Sequence, residues 1–394
     1  MQLKCWLKKS WEHRKFPIKK KEEKQMKRLL CLVSSMNTGG AETFLMKIYR
    51  KLDKSKYQMD FCVNLTDKGF YDDEIKKNGG QIYVIPSKSS NIKGFKKGLA
   101  NIVKDNHYDY VMRVTSNAMG FWDLKIAKKS GAKRCIARSS NSSDGKSIKA
   151  VLAHKIGQLL YLNSVDVKIA PSDLAAMYTF GKKNLEDGKV FFLHNAVDLD
   201  VYRYEVELRT QIRKAFGICE DITVVGHVGR FSNQKNHTFL LEIFKAYNEK
   251  NPQSILMLVG KGELEDAIRE KAEMLGILNK VIFAGIRSDV PALLSAMDVF
   301  AFPSFYEGMP NTVIEAQATS LPCVIADTIT KEVDITGLVN FLPLSDVHAW
   351  AETLDNCVKK DINRADTAGI REIFINQGYD IESVTRQFEK LVFE

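Results

Sequence analysis

Short apolar runs alternate with amphipathic stretches along almost the whole chain, and that rhythm sets the expected fold. The run Leu29 to Ser35 precedes Phe44, Leu45, Ile48 and Leu52 at helical spacing. The alternation continues through Met59 to Leu65, a helix near Asp72 to Asn78, Gln81 to Ile85, Ile92 to Lys104, Tyr108 to Met112, Gly120 to Lys129 and Arg134 to Ala137. Val151 to Leu162, Val165 to Ala170, Leu174 to Phe180 and Val190 to Leu193 complete a first series. A second series opens at Thr223 to Val228 and continues with a helix carrying Phe239, Leu240, Ile243 and Phe244. Ile255 to Val259, Glu263 to Leu275, Val281 to Ala284, Val299 to Phe302 and Cys323 to Ala326 follow. Helices near Ala349 to Val358, Arg371 to Asn376 and Ile381 to Leu391 close the chain. Such alternation predicts parallel sheets covered by helices on both faces, an α/β architecture.

At 394 residues the chain is too long for one ordinary core. Two domains are expected, at 26–200 and 201–378, with residues 379–394 forming a helix that crosses back to the first domain. Residues 1–25 form an extension ahead of them.

Composition is that of a soluble globular protein, 45% hydrophobic and 27% charged. No apolar run approaches the roughly 18 to 20 residues a spanning helix needs. The seven cysteines are scattered, without a Cys-x-x-Cys, which favours reduced packing residues in the cytosol. Net charge is +10, but residues 1–28 hold eleven Lys or Arg against three Glu. The body is therefore nearly neutral, and nothing past residue 28 supplies the basic face that nucleic-acid binding needs. Within the head, Leu3, Trp6, Leu7 and Trp11 fall at helical spacing among lysines until Pro17. That pattern fits a helix lying in the surface of an anionic membrane. The alternatives are a disordered basic extension, or an upstream start codon with translation beginning at Met26.

The candidate chemistry collects at strand ends. Phe302 runs into Pro303-Ser304-Phe305-Tyr306-Glu307-Gly308-Met309, and a helix opens at Pro310 or Asn311 and carries Glu315. A helix start offers free amides to an anion. Eight positions at about 100° each leave Glu307 and Glu315 roughly 80° apart, so they address different parts of one ligand. Gly229-Arg230 through Lys235 places a guanidinium and an ammonium around another strand end, where together they can neutralise a diphosphate. Gly260-Lys261-Gly262 and Gly285-Ile286-Arg287 sit on the same rim, and Gly39-Gly40 follows the first strand of the first half. A ligand carrying both phosphates and hydroxyls, such as a nucleotide sugar, suits this set. No Gly-x-Gly-x-x-Gly with a downstream acid is present, which disfavours a dinucleotide dehydrogenase. Asp198 and Asp200 spell an Asp-x-Asp of the kind that holds a divalent metal in some sugar transferases. Here they follow the last strand of the first half and precede a polar stretch, Tyr204 to Arg213, so the expectation is a linker and no metal site.

With these residues in hand, the chain resembles the retaining glycosyltransferases of family 4, with closest likeness to bacterial enzymes of capsular and exopolysaccharide assembly. The likeness runs from about Met26 to the end and rests on Glu307-x7-Glu315 together with Gly229-Arg230 and Lys235. It implies a GT-B fold of two Rossmann-like domains facing each other across a deep cleft. It also implies a UDP-sugar donor of the hexose type, a lipid-linked saccharide acceptor, and a site at the inner face of the plasma membrane. On this likeness Arg230, Lys235 and Glu307 carry the catalysis, with no cofactor. Gly39, Gly40, Gly229, Gly260, Ile286, Arg287, Gly308, Met309, Asn311, Thr312 and Glu315 bind the donor, Glu315 through the ribose hydroxyls. The acceptor-facing histidines of many relatives are missing after the first-half strands. Arg113, Arg138 and Asn141 stand there instead, with His194 near the cleft. A nucleotide-sugar 2-epimerase of the same fold and a non-catalytic partner subunit are the competing readings.

Overall fold

The computed structural model describes residues 26–37, 39–140, 148–360, 363–365 and 367–394. The basic head up to residue 25 and Asn141 lie outside the described residues.

The first half builds a seven-stranded sheet from β1 (Lys27–Leu32), β2 (Tyr57–Val63), β3 (Ile82–Val84), β4 (Tyr110–Thr115), β5 (Arg134–Ser139), β6 (Val167–Ala170) and β7 (Val190–Phe192). Its order is β3-β2-β1-β4-β5-β6-β7, and every pair is parallel. The second half repeats the plan with β8 (Thr223–Val228), β9 (Ser254–Val259), β10 (Val281–Gly285), β11 (Val299–Phe302), β12 (Cys323–Ala326) and β13 (Val339–Leu342). These order as β10-β9-β8-β11-β12-β13, again all parallel.

The apolar runs follow from this layering. In β1, Leu29 and Cys31 enter the core on one face of the sheet, while Leu30 and Leu32 enter the core on the other. A strand covered on both faces has no solvent side, so the period-two polar positions disappear. Each sheet also reverses strand order beside its first strand, between β1 and β4 and between β8 and β11. A crevice forms at the carboxyl ends where neighbouring connections leave to opposite faces. Gly39-Gly40 follows β1, Gly229 to Lys235 follows β8, and Phe305 to Pro310 follows β11, so the motifs flank these two switch points.

The chain crosses between domains twice. After β7, Val197 pairs with Asp380 in a parallel bridge, with Val197 N–H donating to the Tyr379 carbonyl and Ile381 N–H to that of Val197. The helix Ile381–Phe393 then lies on the first domain. Ile381, Val384, Phe388, Val392 and Phe393 join the core of β1 and the helix Gly40–Lys51. The Phe393 ring stacks on Tyr57 at 4.3 Å, and Lys27 Nζ donates to the Phe393 carbonyl at 2.7 Å.

The structure departs from the sequence reading at several elements, among them the helix Val290–Ala296 after β10, which was not expected. The polar stretch read as linker, Tyr204 to Arg213, holds a helix, Val206–Ala215. Only Ile212 and Arg213 of that helix are buried, and Arg213 is held by carbonyls and by Asp298 at 2.7 Å, so a charged residue stands at a core position. Strand β13 was not expected. It is four residues long at the sheet edge, interrupted by exposed Asn340 and set between Gly337 and Pro343, so its apolar run is too short to stand apart from the turns beside it.

Candidate active site between the two sheets

Each side chain on the second-domain rim is placed by a neighbouring loop. The loops after β8 and β11 are tied together by Gln234, whose carbonyl accepts from Phe305 N–H at 2.9 Å and whose amide donates to the Tyr306 carbonyl at 2.9 Å. This tie sets Lys235 against Glu307, Nζ to Oε1 2.7 Å, with both side chains mostly buried and Nζ 4.5 Å from the centre of the Phe302 ring. Asn236 then adopts a left-handed conformation, φ 54°, and the helix His237–Lys250 begins. Under the loop, His227 and His237 lie in edge contact and are buried. Burial pushes their pKa values down to about 3 and about 2.

The glycines on this rim serve close approach. Gly260 has φ +138°, and a Cβ there would lie 2.1 Å from the Gly229 carbonyl oxygen. A Cβ on Gly229 would meet His227 Nε2 at 2.8 Å and the Lys235 side chain at 3.3 Å. Arg230 is placed differently from Lys235. Its guanidinium is 73% exposed and pairs with Glu263 at 2.9 Å. Ile286 is exposed at the end of β10, beside Arg287, whose guanidinium pairs with Asp289.

The helix Asn311–Ala318 opens directly at the cleft, with Pro310 in the N-cap position and no side-chain cap, so its first amides are left for a ligand. The first domain reaches this helix at three points. Asn311 Nδ2 approaches the Gly40 carbonyl at 3.5 Å, Asn195 Nδ2 donates to the Met309 carbonyl at 3.0 Å, and Lys47 Nζ donates to Glu315 Oε1 at 2.7 Å. Lys47 and Glu315 are both buried, and Lys47 also donates to the Ala196 carbonyl at 3.1 Å. Tyr202 adds its hydroxyl to Glu315; burial and that carboxylate raise its pKa well above the ordinary phenol value. Glu307 and Glu315 thus point to different partners, one cation from each domain. Gly308 and Thr312 lie between them, partly exposed on the rim. Opposite, Glu42 folds its carboxylate over Gly39, and burial raises its pKa while Arg113 acts in the other direction.

The residues expected on the acceptor side are spread out. Arg113 lies within β4, two residues before its end, and is 3.3 Å from buried Asp123, which Lys88 also contacts at 2.6 Å. Arg138 is 2% exposed, with its guanidinium 3.6 Å from the Phe44 ring centre and donating to Asn195 Oδ1 at 2.6 Å. Burial lowers its pKa to about 9. It is therefore linked to the second-domain rim through Asn195 and Met309 rather than standing free in the cleft. His194 stacks on Tyr379 at 4.3 Å beside the crossing segments, its pKa lowered by burial. Asp198 pairs with Lys51 at 3.0 Å and Asp200 with Arg371 at 2.7 Å. Among the described residues no group of three or more His, Cys, Asp or Glu converges as a metal site.

Sequence reasoning missed Lys47, Asn195 and Tyr202. Lys47 did leave a sign, a lysine set inside the apolar stripe of Phe44, Leu45 and Ile48.

Two Rossmann-like sheets meeting at their switch points, with cations and helix amides on the rim between them, define a GT-B glycosyltransferase fold. HepE of Anabaena, solved with UDP and glucose, superposes with a TM-score of 0.76 over 92% of this chain and 98% of its own, at 19% identity. The model of the family described as glycosyl transferases group 1 matches residues 222–360. The putative glycosyltransferase EpsF of Bacillus subtilis (strain 168) is 36% identical over 368 residues, covering 90% of this chain and 94% of its own. An Escherichia coli enzyme named UDP-Gal:alpha-D-GlcNAc-diphosphoundecaprenol alpha-1,3-galactosyltransferase is 27% identical over 67% of this chain and 68% of its own. The chain belongs to the group 1 glycosyltransferases.

Proposed function

We propose that the protein transfers a hexose-type sugar from a UDP-sugar to a lipid-linked saccharide in exopolysaccharide or capsule assembly, with retention at the anomeric carbon. The observation that carries this reading is the Lys235–Glu307 pair beside the uncapped start of the helix Asn311–Ala318, facing Gly40 across the cleft. Breaking a glycosyl-phosphate bond places negative charge on the departing diphosphate, and fixed donors stabilise it most where water is excluded. Lys235 and the uncapped helix amides supply such donors on one rim, which supports this reading. Arg230 joins them by exchanging Glu263 for the diphosphate, which its exposure permits. Glu307 lies beside the transferred sugar, and Glu315 accepts from the ribose through the carboxylate oxygen that Lys47 does not hold.

UDP bound to HepE, and the UDP-Gal and diphosphoundecaprenol in the name of the Escherichia coli relative, support the donor and acceptor classes. With the charge supplied by side chains, turnover in excess chelator is the expected result; a strict metal requirement would bring Asp198 and Asp200 back into the site. Work takes place at the cytoplasmic face of the membrane, where the basic head of residues 1–28 meets anionic lipid. A thermal-shift panel of nucleoside diphosphates and their sugars tests the donor, since a ligand that binds only the native state raises its melting temperature. A shift with UDP compounds above the others is expected, and no shift with any nucleotide would remove the reading.

A further inference from the structure

The helix Ile148–Tyr161 in the first domain is turned inside out relative to an ordinary surface helix. Val151, Leu152, Ile156, Leu159 and Leu160 are all exposed, Leu159 to 81% and Leu152 to 59%. At about 100° per residue, Leu152, Ile156 and Leu159 fall within roughly 60° of one another and form a single ridge. Lys149 and Lys155 fall roughly 60° to either side of Leu152, one on each flank, and both are exposed. The opposite half is anchored: His154 and Gly157 are buried, and a Cβ on Gly157 would lie 2.5 Å from the Ala118 carbonyl carbon. The ridge is therefore fixed outward by backbone packing. No Asp or Glu occurs between residues 145 and 165.

We propose that this ridge docks the first domain onto an anionic lipid bilayer. An apolar ridge flanked by lysines matches a bilayer interface, where leucines enter the acyl boundary while lysine stems follow them and ammonium groups stay among the headgroups. Charge complementarity selects this occupant over a second copy of the chain. A two-fold contact through the ridge would set Lys149 and Lys155 against the same lysines with no acid on the helix to meet them. The helix follows β5, whose carboxyl end lies on the edge facing the cleft, so docking here brings the first-domain rim to the membrane surface. This surface belongs to the folded body and is distinct from the basic head.

Co-sedimentation of the full chain with phosphatidylglycerol-containing vesicles tests the proposal without reading turnover. Half-molar salt screens exposed charges to within a few Å, and a Trp6→Ser/Trp11→Ser background, used for parent and variants alike, removes the apolar anchors of the head. Under that condition Leu152→Glu/Leu159→Glu should bind at least roughly tenfold more weakly than the parent, with an unchanged melting temperature. Equal binding by parent and variant overturns the proposal. So does a parent that is a dimer, a variant that is a monomer, and vesicle binding the same in both, because a second copy then covers the ridge. Should the glutamates prevent folding, Leu159→Cys in a Cys5→Ser/Cys219→Ser background carries a polarity-sensitive dye. A blue shift on adding the anionic vesicles, weaker with phosphatidylcholine alone, supports docking, and no shift refutes it.

Discussion

Replacing Lys47 by methionine keeps the length of the side chain and removes the ammonium group that reaches Glu315 across the cleft. The wild-type contact is 2.7 Å long, with side-chain exposures of 9% and 6%, so water does little to screen it. Breaking a buried pair from one side costs about 3–5 kcal/mol, because the remaining charge stays desolvated. Tyr202 still donates to Glu315, which favours the lower end, about 3 kcal/mol. At about 2–4 °C per kcal/mol for a domain of this size, the melting temperature should fall by about 6–12 °C. A cycle with Glu315→Gln separates the pair from general damage. If the two groups interact as the geometry shows, the double variant should recover about 2 kcal/mol relative to the sum of the single changes. Calorimetry or denaturant unfolding of the four proteins supplies the numbers. Strictly additive losses, or a Lys47→Met protein melting within a degree of the parent, would show that the contact carries no energy and that the domains are held together elsewhere.

Lys235→Ala should abolish most transfer while leaving the fold intact, and Arg230→Ala should do the same through the charge it brings to the diphosphate. Unchanged turnover in either variant, measured as release of nucleoside diphosphate, would mean the diphosphate is held by other groups. Gly260→Ala should destabilise by about 2–3 kcal/mol, since a side chain at φ +138° is strained and its Cβ meets a carbonyl; unfolding in urea reads the loss. Acid should weaken the second domain through His227 and His237. Their folded pKa values lie near 3 and 2, below the ordinary 6.5, so their stabilisation is full above pH 6.5 and is lost as pH falls toward 3. At pH 5 each costs about 2 kcal/mol relative to pH 8. His237→Phe should flatten the pH dependence of the melting temperature, and an unaltered slope would contradict the assignment.

The parallel sheets were legible because strands such as β1 are apolar on both faces and are separated by helices of clear period. Strand β13 was not, since four residues set between Gly337 and Pro343 are too short a run to separate from the turns beside them. The rim of the second domain was legible for a similar local reason: glycine, basic and acidic residues follow strand ends in β8, β9, β10 and β11. Lys235 and Glu307 could be assigned to one edge, although the tie through Gln234 that fixes their distance has no sequence pattern. What escaped were contacts made from the other domain. Lys47 and Glu315 are separated by 268 positions, and Asn195 and Met309 by 114, so no spacing rule connects them. Arg138 shows the converse: its position after a strand suggested an exposed cleft residue, but Phe44 stacks on it and Asn195 takes its hydrogen bond.

Core membership and chain order disagree in this molecule. The segment from Ile381 to Phe393 comes after the whole second sheet yet is part of the first core, clasped by Tyr57 and Lys27. A chimera that exchanges everything after residue 200 for the matching part of a relative would import a foreign helix into that core. Recombining the two halves therefore takes two junctions, one before the helix Val206–Ala215 and one at Tyr379-Asp380, where the returning strand already meets Val197.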